Sequence, residues 1–187
     1  MNRRFDVIDL PIKDLRLLQR KIIGDTRGYL ERMFCLNELH ELIPGKNIIQ
    51  VNHTLTAKIG AVRGMHFQYP PHTETKIVSC LRGEVFDVVV DIRSGSDSFL
   101  KWHGEILSEK NHRTLLIPDG FAHGFQTLTN DCELLYFHTA AYNQDAEDGL
   151  NPEDPILAIN WPLTISERSA RDTTHPYITE DFKGVAI

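Results

Sequence analysis

The middle of the chain alternates apolar and polar positions in short runs separated by turn residues. A period of two sends successive side chains to opposite faces of a strand. The runs Asn47 to Leu55, Lys76 to Leu81, Val85 to Ile92, Leu100 to Leu107, Arg113 to Ile117, His123 to Leu128 and Glu133 to His138 are therefore predicted strands. Within Val85 to Ile92, one face carries Phe86, Val88, Val90 and Ile92; the other carries Val85, Asp87, Val89 and Asp91. Arg82-Gly83-Glu84, Ser94-Gly95-Ser96-Asp97, Glu109-Lys110-Asn111, Pro118-Asp119-Gly120 and Asn130-Asp131 supply the turns. Short strands at this spacing predict a mainly β domain, a sandwich or barrel.

Only two stretches read as helix. Cys35 to Ile43 places Leu36, Leu39 and Leu42 at three-residue spacing, with Asn37 as candidate cap. A second short helix is predicted near Ser166 to Arg171. From Gln144 onward the chain is rich in Asp, Glu, Asn and Pro, which predicts an extended segment wrapping the barrel. Repeats, low-complexity tracts and linkers are absent, so residues 1–187 read as one domain.

Composition narrows the function. The formal net charge of −6 argues against a broad nucleic-acid surface but leaves room for a local basic pocket. Cys35, Cys80 and Cys132 are odd in number and far apart, so neither a disulfide framework nor a CxxC metal site is predicted. No apolar run approaches the ~18 residues of a membrane span, and no leader-like apolar stretch opens the chain. A cytoplasmic protein with reduced thiols is the expectation.

Candidate chemistry lies in two clusters. Gly60 to Pro71 contains Arg63 and His66 between glycines that suggest a bulge, so both side chains could face one pocket although strict alternation would separate them. Locally, His66 fits a functional role and an ordinary structural one equally. Lys76 shares a strand face with Val78 and Cys80, a costly place unless it meets an anion or enolate; a strand-end lysine reaching water is the plainer alternative. Ile117 to Phe125 contains Pro-Asp-Gly followed by His123, like the second cupin motif. The first-motif stretch reads His66-Phe67-Gln68 and lacks a second histidine, so three convergent metal ligands cannot be assembled and no metal is expected. Tyr136 could be core or a general acid; Asp172 alone would be a solvated carboxylate after an exposed helix.

Taken together, these motifs resemble the dTDP-4-dehydrorhamnose 3,5-epimerase family of the cupin superfamily. The resemblance rests on Gly24-Asp25-Thr26-Arg27-Gly28, Gln50-Val51-Asn52-His53, Val62 to Gln68, Leu81 to Asp87, Ile117 to Phe125 and Asn160-Trp161-Pro162. It implies a cupin-type antiparallel jelly-roll barrel with a few short peripheral helices, in which Arg63, His66 and Lys76 lie on neighbouring strands. It also implies a nucleotide-diphosphate-sugar substrate epimerised at C3 and C5 without a cofactor. His66 matches the general base, Tyr136 the general acid, Asp172 the carboxylate that orients the base, and Lys76 the enolate stabiliser. Arg27, Arg63 and His123 match substrate contacts, Gln50 and Asn52 nucleotide or sugar contacts, and Tyr142 an aromatic that stacks on the base. Glu147 and Arg171 fall at further binding positions. The chain departs from the family at Arg32, Thr75 and Ala141, where an acidic residue, a glycine and an aromatic are common.

The resemblance further implies a homodimer that exchanges N-terminal strands, so that Arg16 to Phe34 delivers Arg27 to the partner's site. Three rival readings stand beside it: a single-centre 3- or 5-epimerase on a dTDP- or CDP-linked 4-keto-deoxysugar, a non-catalytic cupin that binds a nucleotide or sugar, and a metal cupin oxygenase or isomerase using His66 and His123.

Overall fold

The computed structural model describes residues 3–187. Among these residues thirteen strands form, in order β1 (Phe5–Asp9), β2 (Arg16–Arg20), β3 (Ile23–Asp25), β4 (Gly28–Leu30), β5 (Gln50–Thr56), β6 (Val62–Gln68), β7 (Lys76–Arg82), β8 (Glu84–Asp91), β9 (Trp102–Ser108), β10 (Arg113–Ile117), β11 (Phe121–Thr127), β12 (Cys132–His138) and β13 (Glu147–Gly149). One helix, α1 (Leu36–Leu39), lies between β4 and β5.

Two antiparallel sheets carry the fold. The larger runs β1-β2-β10-β7-β12-β5 and the smaller β13-β6-β11-β8-β9; β3 and β4 pair separately as a ribbon. No strand of one sheet pairs with a strand of the other, so the expected barrel is an open jelly-roll sandwich. Lys76 on β7 therefore faces Arg63 and His66 on β6 from the opposite sheet instead of lying on a neighbouring strand.

The alternation predicted for β8 explains its burial on both sides. Val85 and Val89 join Val78, Leu115, Phe125 and Leu134 between the sheets. Val88, Val90 and Ile92 pack outward under Leu157, Trp161, Phe182 and Val185 of the C-terminal segment. The tail thus covers a face that would otherwise expose a continuous apolar surface. It is extended as expected, but no helix forms near Ser166 to Arg171. A turn runs through residues 170–174 instead, where Ser169 Oγ accepts the Asp172 N–H and so offers the backbone a local alternative to helix.

α1 is also shorter than its pattern. It ends at Leu39, and turns continue to Gly45 past Pro44. Its cap position is Cys35, not Asn37, and no side chain caps it. Leu39 and Ile43 dock on the outer face of the larger sheet against Leu18, Ile77 and Leu116. Packing, not helix length, holds this segment.

Asp91, at the end of β8, is fully buried and organises the loop that follows. Arg93 donates to both its oxygens at 3.0 and 2.8 Å, and the Ser96 and Ser98 hydroxyls each donate at 2.6 Å. Burial pushes the Asp91 carboxyl up, but these bonds outweigh it and lower it to about 2. A folded-state value below the unfolded one adds stability above pH ~4 that is lost as pH falls toward ~2. Asp91→Asn should cost about 2 kcal/mol at pH 7. The gap to the wild type should close between about pH 4 and 2 in urea unfolding monitored by circular dichroism; a pH-independent gap would refute the charge-based account.

Candidate active site

A cavity opens between the sheets. The smaller sheet contributes Arg63, His66 and Gln68 from β6, and His123 from β11. The larger contributes Gln50, Asn52 and Thr54 from β5, Lys76 from β7, and Tyr136 and His138 from β12. Glu74, Tyr142 and Glu147 also line it, and Tyr142 is half exposed at its edge.

A bulge brings Arg63 and His66 to the same side. On β11, His123 pairs with His66 and Phe125 with Arg63. Two residues of β6 therefore face one of β11, which shifts the alternation by one. Gly64, at φ +113°, occupies the bulge. A Cβ on Gly64 would lie 2.6 Å from the Gly124 Cα, and a Cβ on Gly124 would lie 2.6 Å from the Arg63 carbonyl oxygen. Only two glycines permit this approach.

Asp172 is buried, not solvated, and lies 2.6 Å from His66 Nε2 while accepting the Gly64 N–H at 3.3 Å. Burial by itself would raise its carboxyl. The His66 bond and attraction, aided by the Gly64 N–H, win, and the group is held below the usual carboxylate range. An anionic carboxylate can only accept, so His66 Nε2 carries the proton and Nδ1 is left as the basic nitrogen.

The facing sheet presents Tyr136, whose phenol is pushed up by burial, with the nearby Asp87 charge adding to the effect. It holds its proton at neutral pH and can donate it. His123 Nε2 meets both oxygens of Asp87 at 2.9 and 3.0 Å, and its ring packs edge-on to Tyr136. Lys76 Nζ donates to the His66 carbonyl at 3.2 Å and pairs with Glu74 at 3.3 Å. Thr54 also lines the cavity, beside the Tyr136 hydroxyl.

Nine of the predicted site residues thus line one cavity: Gln50, Asn52, Arg63, His66, Lys76, His123, Tyr136, Tyr142 and Glu147. Asp172 stands behind His66, and Arg171 pairs with Glu147. Arg27 is not among the lining residues. It is exposed on the β3–β4 ribbon, where it pairs with Asp25. Thr75 is buried and bonded to Asp119 and Thr139, Arg32 pairs with Glu38, and Ala141 adjoins Tyr142.

Sequence reasoning missed Glu74, His138 and the pairing role of Asp87. Alternation carried the signal for each. Glu74 stands two before Lys76, His138 two after Tyr136, and Asp87 between Val85 and Val89 on an apolar face. It also missed His175, whose ring packs edge-on against His66. Among the described residues, His66, Asp172 and His175 form one metal-capable group, their donor atoms within 4.8 Å of one another. This differs from the His66–His123 combination considered above, because His123 is bonded to Asp87.

A jelly-roll sandwich with a histidine–carboxylate pair on one wall of its cavity and a buried phenol on the other is a cupin-type fold with proton-bearing groups on two facing walls. Residues 9–180 match the family described as dTDP-4-dehydrorhamnose 3,5-epimerase, and the chain belongs to that family. The dTDP-4-dehydrorhamnose 3,5-epimerase of Sinorhizobium fredii is 40% identical over 172 residues, covering 91% of this chain and 88% of that protein. The crystal structure of the Legionella pneumophila dTDP-6-deoxy-D-glucose-3,5-epimerase, in complex with dTDP-4-keto-L-rhamnose, superposes with a TM-score of 0.90 at 36% identity, covering 98% of this chain and 99% of that one. A 3'-monoepimerase from Streptomyces bikiniensis, in complex with dTDP-quinovose, gives 0.82 at 31% identity, covering 90% and 85%.

The Gly64–Gly124 approach is testable. Gly124→Ala should force the strands apart, cost about 1–3 kcal/mol of stability and lower turnover at least about tenfold, read by thermal unfolding and a rate assay. Wild-type behaviour in both would show that the close approach is dispensable.

Proposed function

We propose that this chain inverts C3 and C5 of a dTDP-linked 4-keto-6-deoxyhexose through an enolate. The observation that supports this most is the placement of the His66–Asp172 pair and Tyr136 on facing sheets. A keto group acidifies the protons on both adjacent carbons. His66, its tautomer set by Asp172, removes one from one face of the ring. Negative charge then develops on the keto oxygen, and the buried Lys76 offsets it. Tyr136 returns a proton from the other face, and the centre is inverted. General acid or base catalysis of this kind contributes ~10²–10⁴-fold in rate. No step needs a cofactor.

Arg63 and His123 serve substrate contact in this reading, as do Gln50 and Asn52. Tyr142 stacks on the nucleotide base, with Glu147 and Arg171 beside it. One observation favours a single-centre enzyme: the Streptomyces monoepimerase shares this fold at 31% identity. Proton NMR in D₂O with the dTDP- and CDP-4-keto-6-deoxyglucose substrates separates the two. Deuterium at both C3 and C5 is the expected result, and one labelled carbon establishes the single-centre enzyme. Exchange at neither carbon with either nucleotide rejects epimerase action. His66→Asn should abolish exchange, whereas Tyr136→Phe should keep washing in deuterium without inversion.

The working unit in this reading is a homodimer located in the cytoplasm. The larger sheet exposes Val51, Leu55 and Leu81 on its outer face, and the β3–β4 ribbon exposes Ile23, Tyr29 and Leu30. Isolated exposed apolar residues are ordinary, but a clustered sheet face suits a second copy. Ribbon exchange carries Arg27 to the partner's cavity. Mixing Arg27→Ala with His66→Ala protein, after unfolding and refolding together, should then restore up to about a quarter of wild-type activity, because only one site of each mixed dimer is whole. No recovery would place Arg27 outside the partner's site.

A further inference from the structure

The wall that holds Lys76 and Tyr136 contains two buried ionisable groups that the proton transfers do not use. The side chains of Glu74 and His138 are only 10% and 11% exposed, and both line the cavity. Burying such groups costs several kcal/mol unless they are bonded, and apolar residues would fill the space more cheaply. Retaining them inside a cavity is the pattern of a functional site.

Their bonding is directional. Glu74 spans two partners, with Oε1 3.3 Å from Lys76 Nζ and Oε2 2.7 Å from His138 Nδ1. Burial pushes the Glu74 carboxyl up; the His138 bond and the Lys76 charge outweigh it and hold it below its usual range. As an anion it accepts, so His138 Nδ1 donates to it. Nε2 is the nitrogen left over, and among the described residues its only hydrogen-bond partner is Asn52 Nδ2, at a long 3.4 Å. The polar chain then continues from Asn52 Oδ1, which accepts from Gln50 Nε2 at 3.2 Å, to Gln50 Oε1, which accepts the Tyr142 N–H at 2.9 Å. It links the lysine assigned to the keto oxygen with the aromatic assigned to the base. The sugar must lie between those two ends. His138 stands there, stacked on Tyr136 with ring centroids 5.9 Å apart.

We propose that His138 is a further substrate-binding residue whose Nε2 hydrogen-bonds a hydroxyl of the sugar, and that Glu74 is the positioning residue that turns it toward the substrate. This rests on the epimerase reading above. A hydroxyl both donates and accepts, so it matches Nε2 whether or not that nitrogen is protonated. The contact forms in the ground state and persists through enolisation. It therefore governs binding more than the chemical step.

The test compares wild type with Glu74→Gln, which keeps the shape, with His138→Phe, which keeps the ring stacked on Tyr136, and with the double variant. Steady-state turnover is followed by NMR, and dTDP binding by calorimetry. His138→Phe should raise KM about tenfold or more while kcat changes by less than about threefold, and Glu74→Gln should raise KM by a similar factor while also altering kcat, because it removes the carboxylate paired with Lys76. Because the two residues act as one unit, the double variant should be no worse than the more affected single. Affinity for dTDP, which lacks the sugar, should not move. An active wild type whose KM is unchanged in His138→Phe overturns this inference alone. So does a parallel loss of dTDP affinity, or strictly additive effects. A wild type that exchanges no proton with either sugar nucleotide overturns the epimerase reading and takes this inference with it.

Discussion

The close approach of two backbones at Gly64 and Gly124 is the constraint on which the site depends. At 2.6 Å from a hypothetical Cβ to the opposing backbone, neither position can carry a side chain. The space this frees lets β6 hold one residue more than β11 between paired positions. That extra residue reverses the alternation, so Arg63 joins His66 on the cavity side. A regular strand would have turned Arg63 outward with Met65 and Phe67, toward the apolar layer under the tail. The same bulge leaves the Gly64 N–H free of the ladder to meet Asp172.

Asp172 shows how the C-terminal segment serves two ends at once. Its neighbours in sequence cover the outer face of the smaller sheet, a packing role set by Leu157, Trp161, Phe182 and Val185. Once the segment lies there, it presents a carboxylate to a histidine 106 positions away. The apolar burial fixes the path of the chain, and the charge pair follows from it. The surrounding ion pairs obey the same economy. Carboxylates that burial would protonate, Asp172 and Glu74 among them, stay anionic because each holds a histidine or lysine within hydrogen-bond reach.

Much of this was legible in one dimension. The period of two identified the central strands to within a few residues and divided β8 correctly between two buried faces. The glycines of the Arg63–His66 stretch announced a bulge. Less visible were the short β1 to β4 strands and β13, whose few residues carry too little periodicity to stand out. The second helix failed because serine and threonine side chains near Asp172 bond the local backbone and stabilise a turn. Glu74 and His138 went unnoticed although each shares a strand face with a residue already singled out, because one polar side chain near a strand end looks like any solvated group until its burial is known.

The sequence by itself determined the strand pattern, the β class, the absence of a long apolar helix and, through its motifs, the family. These depend on local periodicity and on residues adjacent in the chain. Tertiary structure decided what the motifs do together. Only folding puts Lys76 and Tyr136 on the wall opposite His66, buries Asp172 behind it, joins Glu74 to His138 across two strands, and leaves Arg27 outside the cavity of its own chain. The reason is physical. Proton transfer, ion pairing and burial depend on distances of a few ångströms between residues more than a hundred positions apart in places, and only the packing of two sheets sets those distances.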